Sequence, residues 1–170
     1  MPETGPFSLA QLTGYVAFLL GLVSFLQKDD RRLRALIGTQ AFSYAVHFLL
    51  LGSRAAAAAS LVTSGRAFVS LYTRSPYVAG AILATNVTLG FLTATSAVGW
   101  LPVAASCSGT IAFFFFEGIA LRLILLFATS CWLVNNLVLG SIGGTLLELV
   151  IGAANTTTCY RLWRASKVTP

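Results

Sequence analysis

The stretch Leu9–Gln27, LAQLTGYVAFLLGLVSFLQ, runs nineteen residues without an ionisable side chain and stops at KDDRR, Lys28–Arg32. That is the length a helix needs to cross the apolar core of a bilayer, followed by a block that would stay in water. A period-2 strand pattern does not produce runs of this length, so a membrane β-barrel is excluded. The composition extends the reading to the whole chain. Of 170 residues, 56% are hydrophobic and 9% charged, with a mean hydropathy of +0.82. A soluble domain carries roughly 25% charged residues, so sixteen Lys, Arg, Asp and Glu side chains (eleven basic, five acidic) cannot wet this surface. Disorder needs the opposite balance.

Working outward, apolar runs broken by charge, Gly or Pro predict seven helices, at about 9–27, 35–52, 55–72, 77–95, 99–116, 120–139 and 142–163. The third is the weakest, being alanine-rich at its start and interrupted by Arg66. Thr73-Arg74-Ser75-Pro76 closes it, because proline disfavours helix in the residue before it. Glu117-Gly118 marks the turn before the sixth helix. The expected fold is an all-α polytopic membrane protein, a single membrane domain over 1–170. No basic n-region precedes the first run, so it is expected to stay as a membrane helix rather than a cleaved signal.

The basic residues orient the chain. With seven alternating helices, Lys28, Arg31, Arg32, Arg34, Arg74, Arg122, Arg161, Arg164 and Lys167 share one side and Arg54 stands alone on the other. The positive-inside rule then puts the N-terminus outside and the C-terminus in the cytoplasm. The pI near 9.7 is thereby a consequence of topology, and no nucleic-acid partner is inferred from it.

An offset of 88 residues aligns the first three helices with the last three. Gly52-Ser53 meets Gly140-Ser141, Leu33-Arg34 meets Leu121-Arg122, and His47 meets Asn135. The expected organisation is a three-helix repeat over 9–73, a linker helix over 77–95 and a second repeat over 99–163. The single linker restores the direction of the second copy, giving the parallel-repeat plan described for SWEET transporters.

Val46–Gly52 (VHFLLLG), Arg66 and Thr73-Arg74-Ser75 in the first half resemble the YgjV family of bacterial inner-membrane proteins. In the second half, so do Cys131–Asn136 (CWLVNN), Gly140–Thr145 (GSIGGT), Glu148, Asn155 and Arg161–Arg164 (RLWR). The resemblance covers nearly the whole chain. It implies a bacterial inner-membrane location and carries no established activity. More distantly the three-one-three plan is similar to SWEET and PQ-loop transporters, although the prolines here (2, 6, 76, 102 and 170) include no Pro-Gln pair. In SWEET-like transporters an asparagine pair on the third and seventh helices contacts substrate. Asn155 resembles one member, while Ala67 beside Arg66 occupies the other place.

Ionisable side chains at membrane depth are functional candidates by default. From helix rise, His47, Asn135 and Glu148 lie roughly 9 Å from the outer helix ends, and Arg66 and Asn155 lie deeper, near the midplane. The expected substrate contacts are Arg66, Asn155, Asn136 and Trp132. Glu148 and His47 are the proton-coupling candidates, and Asn135 and Asn86 are expected to line the cavity. Each has a structural alternative. Arg66 lies roughly 12 Å along its helix from Arg74, so it could instead snorkel to headgroups. Glu148 could be a neutral, hydrogen-bonded carboxyl, His47 a packed histidine, Trp132 a packed aromatic, and the asparagines interhelical glue. Arg34 and Arg122 are read as helix-end anchors.

No nucleophile–base spacing, metal cluster or phosphate loop is present in the sequence, and Cys107, Cys131 and Cys159 are too scattered for a metal or disulfide framework. The chain is therefore expected not to be an enzyme and to need no cofactor or metal. The function expected is a small polar or anionic solute transporter or facilitator with its cavity between the repeats. The alternative is a non-transporting partner or scaffold of the same fold. The expected surroundings are the lipid bilayer, with a small polar or anionic solute and a homo-oligomer as the other partners left open.

Overall fold

The computed structural model describes residues 5–25, 30–116 and 118–166. Among them are seven α-helices and no strand: α1 (Leu9–Phe25), α2 (Asp30–Leu50), α3 (Arg54–Val69), α4 (Pro76–Thr93), α5 (Trp100–Phe115), α6 (Gly118–Leu139) and α7 (Ile142–Ser166). The expected boundaries hold within a few residues except at α2, which begins five residues early at Asp30. The charged segment there continues the helix instead of ending outside it. The expected charge block at Lys28-Asp29 and the turn residue Glu117 lie outside the described residues.

The turns after α2 and α6 share one construction. Gly52 (φ 80°) and Gly140 (φ 66°) take the left-handed conformation that ends a helix. Gly52 N–H donates to the Leu49 carbonyl at 3.0 Å and Ser53 N–H to Phe48 at 2.9 Å. The second turn has Gly140 to Leu137 at 3.2 Å and Ser141 to Asn136 at 2.9 Å. Each serine then caps the next helix, its hydroxyl accepting from Ala56 N–H at 3.4 Å and from Gly144 N–H at 3.2 Å. The Gly-Ser pairs that align at an 88-residue offset thus make the same C-cap and N-cap.

Each long helix packs beside its sequence neighbours, with α2 between α1 and α3, and α6 between α5 and α7. Contacts of α1 with α7 and of α3 with α5 close these six into a ring, and α4 packs on α3 and α5. Close approach is made by small side chains: Ala55, Ala56, Ala57 and Ala59 of α3 are all buried. The run that reads as the weakest span is the tightest-packed face of its helix, because alanine lets backbones approach. Around them Ala17, Tyr44, Phe48 and Leu147 form the main apolar cluster.

Large apolar side chains point outward instead. Leu12, Val16, Leu19 and Val23 of α1 and Leu123, Phe127, Val134 and Leu137 of α6 are all exposed. In water such a surface would drive association. Two helices, α4 and α6, are by themselves long and apolar enough to cross a membrane, and α1 and α5 are apolar but shorter. Arg66 in α3 and Glu148 in α7 are among the ionisable groups that the ring carries inside.

Candidate functional site

A cavity of about 490 Å³ lies inside the ring and draws side chains from all six of its helices, with none from α4. Arg66, Asn155, Asn136, Trp132 and Glu148 all line it. Arg66 is 91% buried, and its Nη1 has no hydrogen-bond partner. Its guanidinium packs against the bare backbone of Gly109 on α5, where a Cβ would stand 2.9 Å from Nη1. The Phe113 ring lies 5.2 Å from its Cζ, within cation–π range. A snorkelling arginine would carry its head toward the helix end; this one holds it among neighbouring helices.

Asn155 is buried, and its Oδ1 accepts from Arg122 Nη1 at 2.9 Å. This corrects the reading of Arg122 as a helix-end anchor. Its Cα sits one turn inside α6, and its long side chain reaches α7 and the cavity wall. Its repeat counterpart Arg34 does behave as an end anchor, donating to the Ser70 carbonyl at the C-cap of α3. Sequence alignment of Leu33-Arg34 with Leu121-Arg122 contained a hint of paired roles, but not that one arginine turns inward.

Glu148 is partly buried on α7, beside the Thr129 hydroxyl and close enough to Tyr44 to act on it electrostatically. Tyr44 is buried, with no partner for its hydroxyl. Tyr44 and Thr129 line the cavity and escaped the sequence reading, since neither residue type stands out at membrane depth. Trp132 stacks on Phe48 with ring centroids 5.6 Å apart and an interplanar angle of 10°, so it is both packed and cavity-lining. Asn136 is buried with Oδ1 unpartnered.

Three expected site residues lie off the cavity wall. His47 is fully buried, with Nδ1 2.6 Å from the Ala10 carbonyl and Nε2 2.7 Å from Ser141 Oγ. The carbonyl can only accept, so Nδ1 donates, and in the neutral ring Nε2 accepts the Ser141 proton. Asn86 holds α4 to α5, donating from Nδ2 to the Val103 carbonyl at 3.0 Å. Asn135 is buried beside the helix interface, its Nδ2 unpartnered. Depth alone grouped these residues with the cavity; the rotation of each helix turns them away. Ser60, Thr63 and Ser64 make a short polar stripe on α3 that divides similarly. Ser64 donates to Gly38 on α2 at 2.8 Å and Thr63 meets Ser106 on α5 at 3.1 Å, while Ser60 and Thr63 also face the cavity.

The two ends of the cavity differ. At the end holding the Gly-Ser turns, Gln11 Nε2 donates to the Gly140 carbonyl at 2.7 Å and Ile142 N–H donates to Gln11 Oε1 at 3.2 Å. With the His47 bridge and the Phe48–Trp132 stack, these ties join α1, α2 and the α6–α7 turn. Toward the other end a second space of about 300 Å³ shares Arg66 and Phe113 with the first. It is lined by Arg34, Arg66 and Arg74, with no acidic side chain among the described residues of its wall. Among the described residues no cluster of three His, Cys, Asp or Glu side chains could hold a metal.

An all-helical bundle with small residues inside, large apolar ones outside and basic residues gathered mainly at one end defines an integral membrane protein of the helical type. Residues 8–166 match the family model Imp-YgjV, described as bacterial inner membrane protein. The chain belongs to that family, and its exposed apolar surface is therefore in contact with lipid. It is 33% identical to the inner membrane protein YgjV of Escherichia coli (strain K12) over 159 residues, covering 94% of this chain and 87% of the relative. No solved structure matches it.

Proposed function

We propose that the protein is a transporter or facilitator for a small polar or anionic solute, built as two parallel three-helix repeats (9–73 and 99–163) around a linker helix (77–95) in the SWEET-like manner. The carrying observation is the cavity itself: every ring helix contributes to it, α4 does not, and it holds a buried arginine without a counter-ion. An unpaired charge in low dielectric costs several kcal/mol, and an anionic ligand offsets that cost. The matching Gly-Ser turns and the paired α1–α7 and α3–α5 contacts support the repeat. With the basic end in the cytoplasm, the conformation is open inward and tied shut outside. We read it as a carrier rather than an enzyme, since the Ser141–His47 pair is buried away from the cavity wall.

A second reading is a non-transporting scaffold of the same fold. It is favoured by the lack of hinge prolines: Pro76 starts α4 and Pro102 lies in the first turn of α5. Protein reconstituted in liposomes and offered a panel of organic acids and sugars separates the two. The transport reading expects a flux that falls at least about tenfold in Arg66→Ala and changes in Glu148→Gln, as charge-assisted contacts warrant. Fluxes untouched by both variants, with no reagent access to a single cysteine at 155 from either side, would establish the scaffold.

A further inference from the structure

We propose that the cavity takes a small zwitterion, with its carboxylate on Arg66 and its ammonium on Glu148. The proposal rests on the transport reading for its cavity and adds the class of solute. The observation behind it is a separation of charge. Arg66 is held on the α3–α5 side, its guanidinium level with Gly109, nine residues into α5 from the closed end. Glu148 is held on the opposite side, six residues into α7 from the same end, in the company of Tyr44 of α2 and Thr129 of α6. Three residues of rise give about 4.5 Å along the bundle, and α3 and α7, which face each other across the ring of six, stand about two helix spacings, roughly 16–20 Å, apart between axes, a gap that both side chains narrow from the cavity wall.

The two groups line one cavity, yet no ion pair joins them. Arg66 Nη1 has no hydrogen-bond partner, and the face of Phe113 lies 5.2 Å from its Cζ. Opposite charges left apart in a low-dielectric space can be compensated by one molecule that carries both complementary charges. A simple anion would satisfy Arg66 while standing in the field of Glu148, and a simple cation would do the reverse. The rest of the wall fits such a ligand. Beside Glu148 the unpartnered Tyr44 hydroxyl can accept a hydrogen bond from an ammonium. Arg122, bonded to Asn155, adds a second cation on the side from which the basic end is reached. Between them Trp132, Ala128, Leu125 and Ile151 give an apolar middle suited to a short methylene body. A volume near 490 Å³ lies within the range of small-molecule sites and exceeds what a bare halide uses.

The test uses the full purified chain in detergent and ligand-induced shifts of its thermal midpoint. The probes are glycine, 4-aminobutyrate and 6-aminohexanoate, which space the same two charges differently, with butyrate and n-butylammonium as single-charge controls. One zwitterion is expected to half-saturate at a concentration at least about tenfold below both controls, the factor one charge-assisted contact confers. In Glu148→Gln that zwitterion and butyrate should become equal. In Arg66→Gln it should fall to the level of n-butylammonium, with Arg66→Lys retaining the preference. Each comparison is made within one protein, so a change of baseline stability does not enter, and Glu148→Gln suffices should the arginine variant not fold. The proposal is overturned if butyrate or n-butylammonium matches the best zwitterion, if Glu148→Gln keeps the tenfold preference, or if no probe shifts the midpoint. Butyrate binding alone, with an Arg66-dependent flux in liposomes, would remove the zwitterion and leave the transport reading standing.

Discussion

Gly143→Ala, one added methyl group, is expected to force the closed end apart. Gly143 lies in the first turn of α7 against the backbone of α1, where a Cβ would stand 2.6 Å from the Gly14 carbonyl oxygen and 2.8 Å from its carbon. Ordinary contact begins near 3.4 Å, so the two helices must part by about 0.8 Å, and backbone cannot swing aside as a side-chain tip can. Two ties cross that interface: 2.7 Å from Gln11 to the Gly140 carbonyl and 3.2 Å from Ile142 N–H to Gln11 Oε1. Adding 0.8 Å takes the first to the limit of a hydrogen bond and breaks the second. Overpacking costs about 1–3 kcal/mol, the weakened bonds about 1 kcal/mol more, and alanine's better helix propensity returns about 1 kcal/mol. The net loss is about 2 kcal/mol, or a thermal midpoint lowered by about 5 °C in detergent. A single cysteine at 48, beside Trp132, should also become more reactive to a reagent added from the closed side than the same cysteine beside an unaltered Gly143. Gly80→Ala is the matched control: nothing lies within 4 Å of its added Cβ, so helix propensity alone should leave that variant as stable or slightly more so. A Gly143→Ala protein as stable as Gly80→Ala, with residue 48 equally protected, would refute the argument that backbone contact seals this end.

Three further outcomes follow from the same geometry. Gly52→Ala and Gly140→Ala each place a side chain at φ 80° and 66° and should each lower stability by about 1 kcal/mol, measured by thermal unfolding, with similar losses because the turns match. Asn86→Ala should loosen α4 by about 1 kcal/mol through the lost bond to Val103 while leaving any ligand affinity unchanged; an altered affinity would mean that α4 shapes the cavity. His47→Gln, which keeps a donor and an acceptor, should be tolerated far better than His47→Leu, which takes the acceptor from the buried Ser141 hydroxyl proton and one donor from the Ala10 carbonyl. Equal unfolding midpoints for those two variants would show that the bridge contributes nothing.

Much of the fold was legible because its signals are local. Runs such as Leu9–Gln27 set helix length from bilayer thickness, and Gly52-Ser53 and Gly140-Ser141 set their turns from backbone conformation and hydroxyl capping alone. The site was less legible, since depth along a helix follows from residue counting whereas facing depends on rotation about its axis. His47, Asn135 and Glu148 share a depth, yet only Glu148 lines the cavity. Tyr44 reaches it without having stood out in the sequence, and Arg122 from a position that reads as a helix end. The sequence by itself determined a helical membrane chain, its basic end and the few polar groups that enter lipid depth, because hydrophobic length and charge cost are properties of each segment alone. Only the tertiary structure decided which of those groups share a space. Arg66 acquires an unoccupied charge, and His47 a full set of hydrogen bonds, through neighbours dozens of residues away whose approach is fixed by alanine and glycine packing between helices.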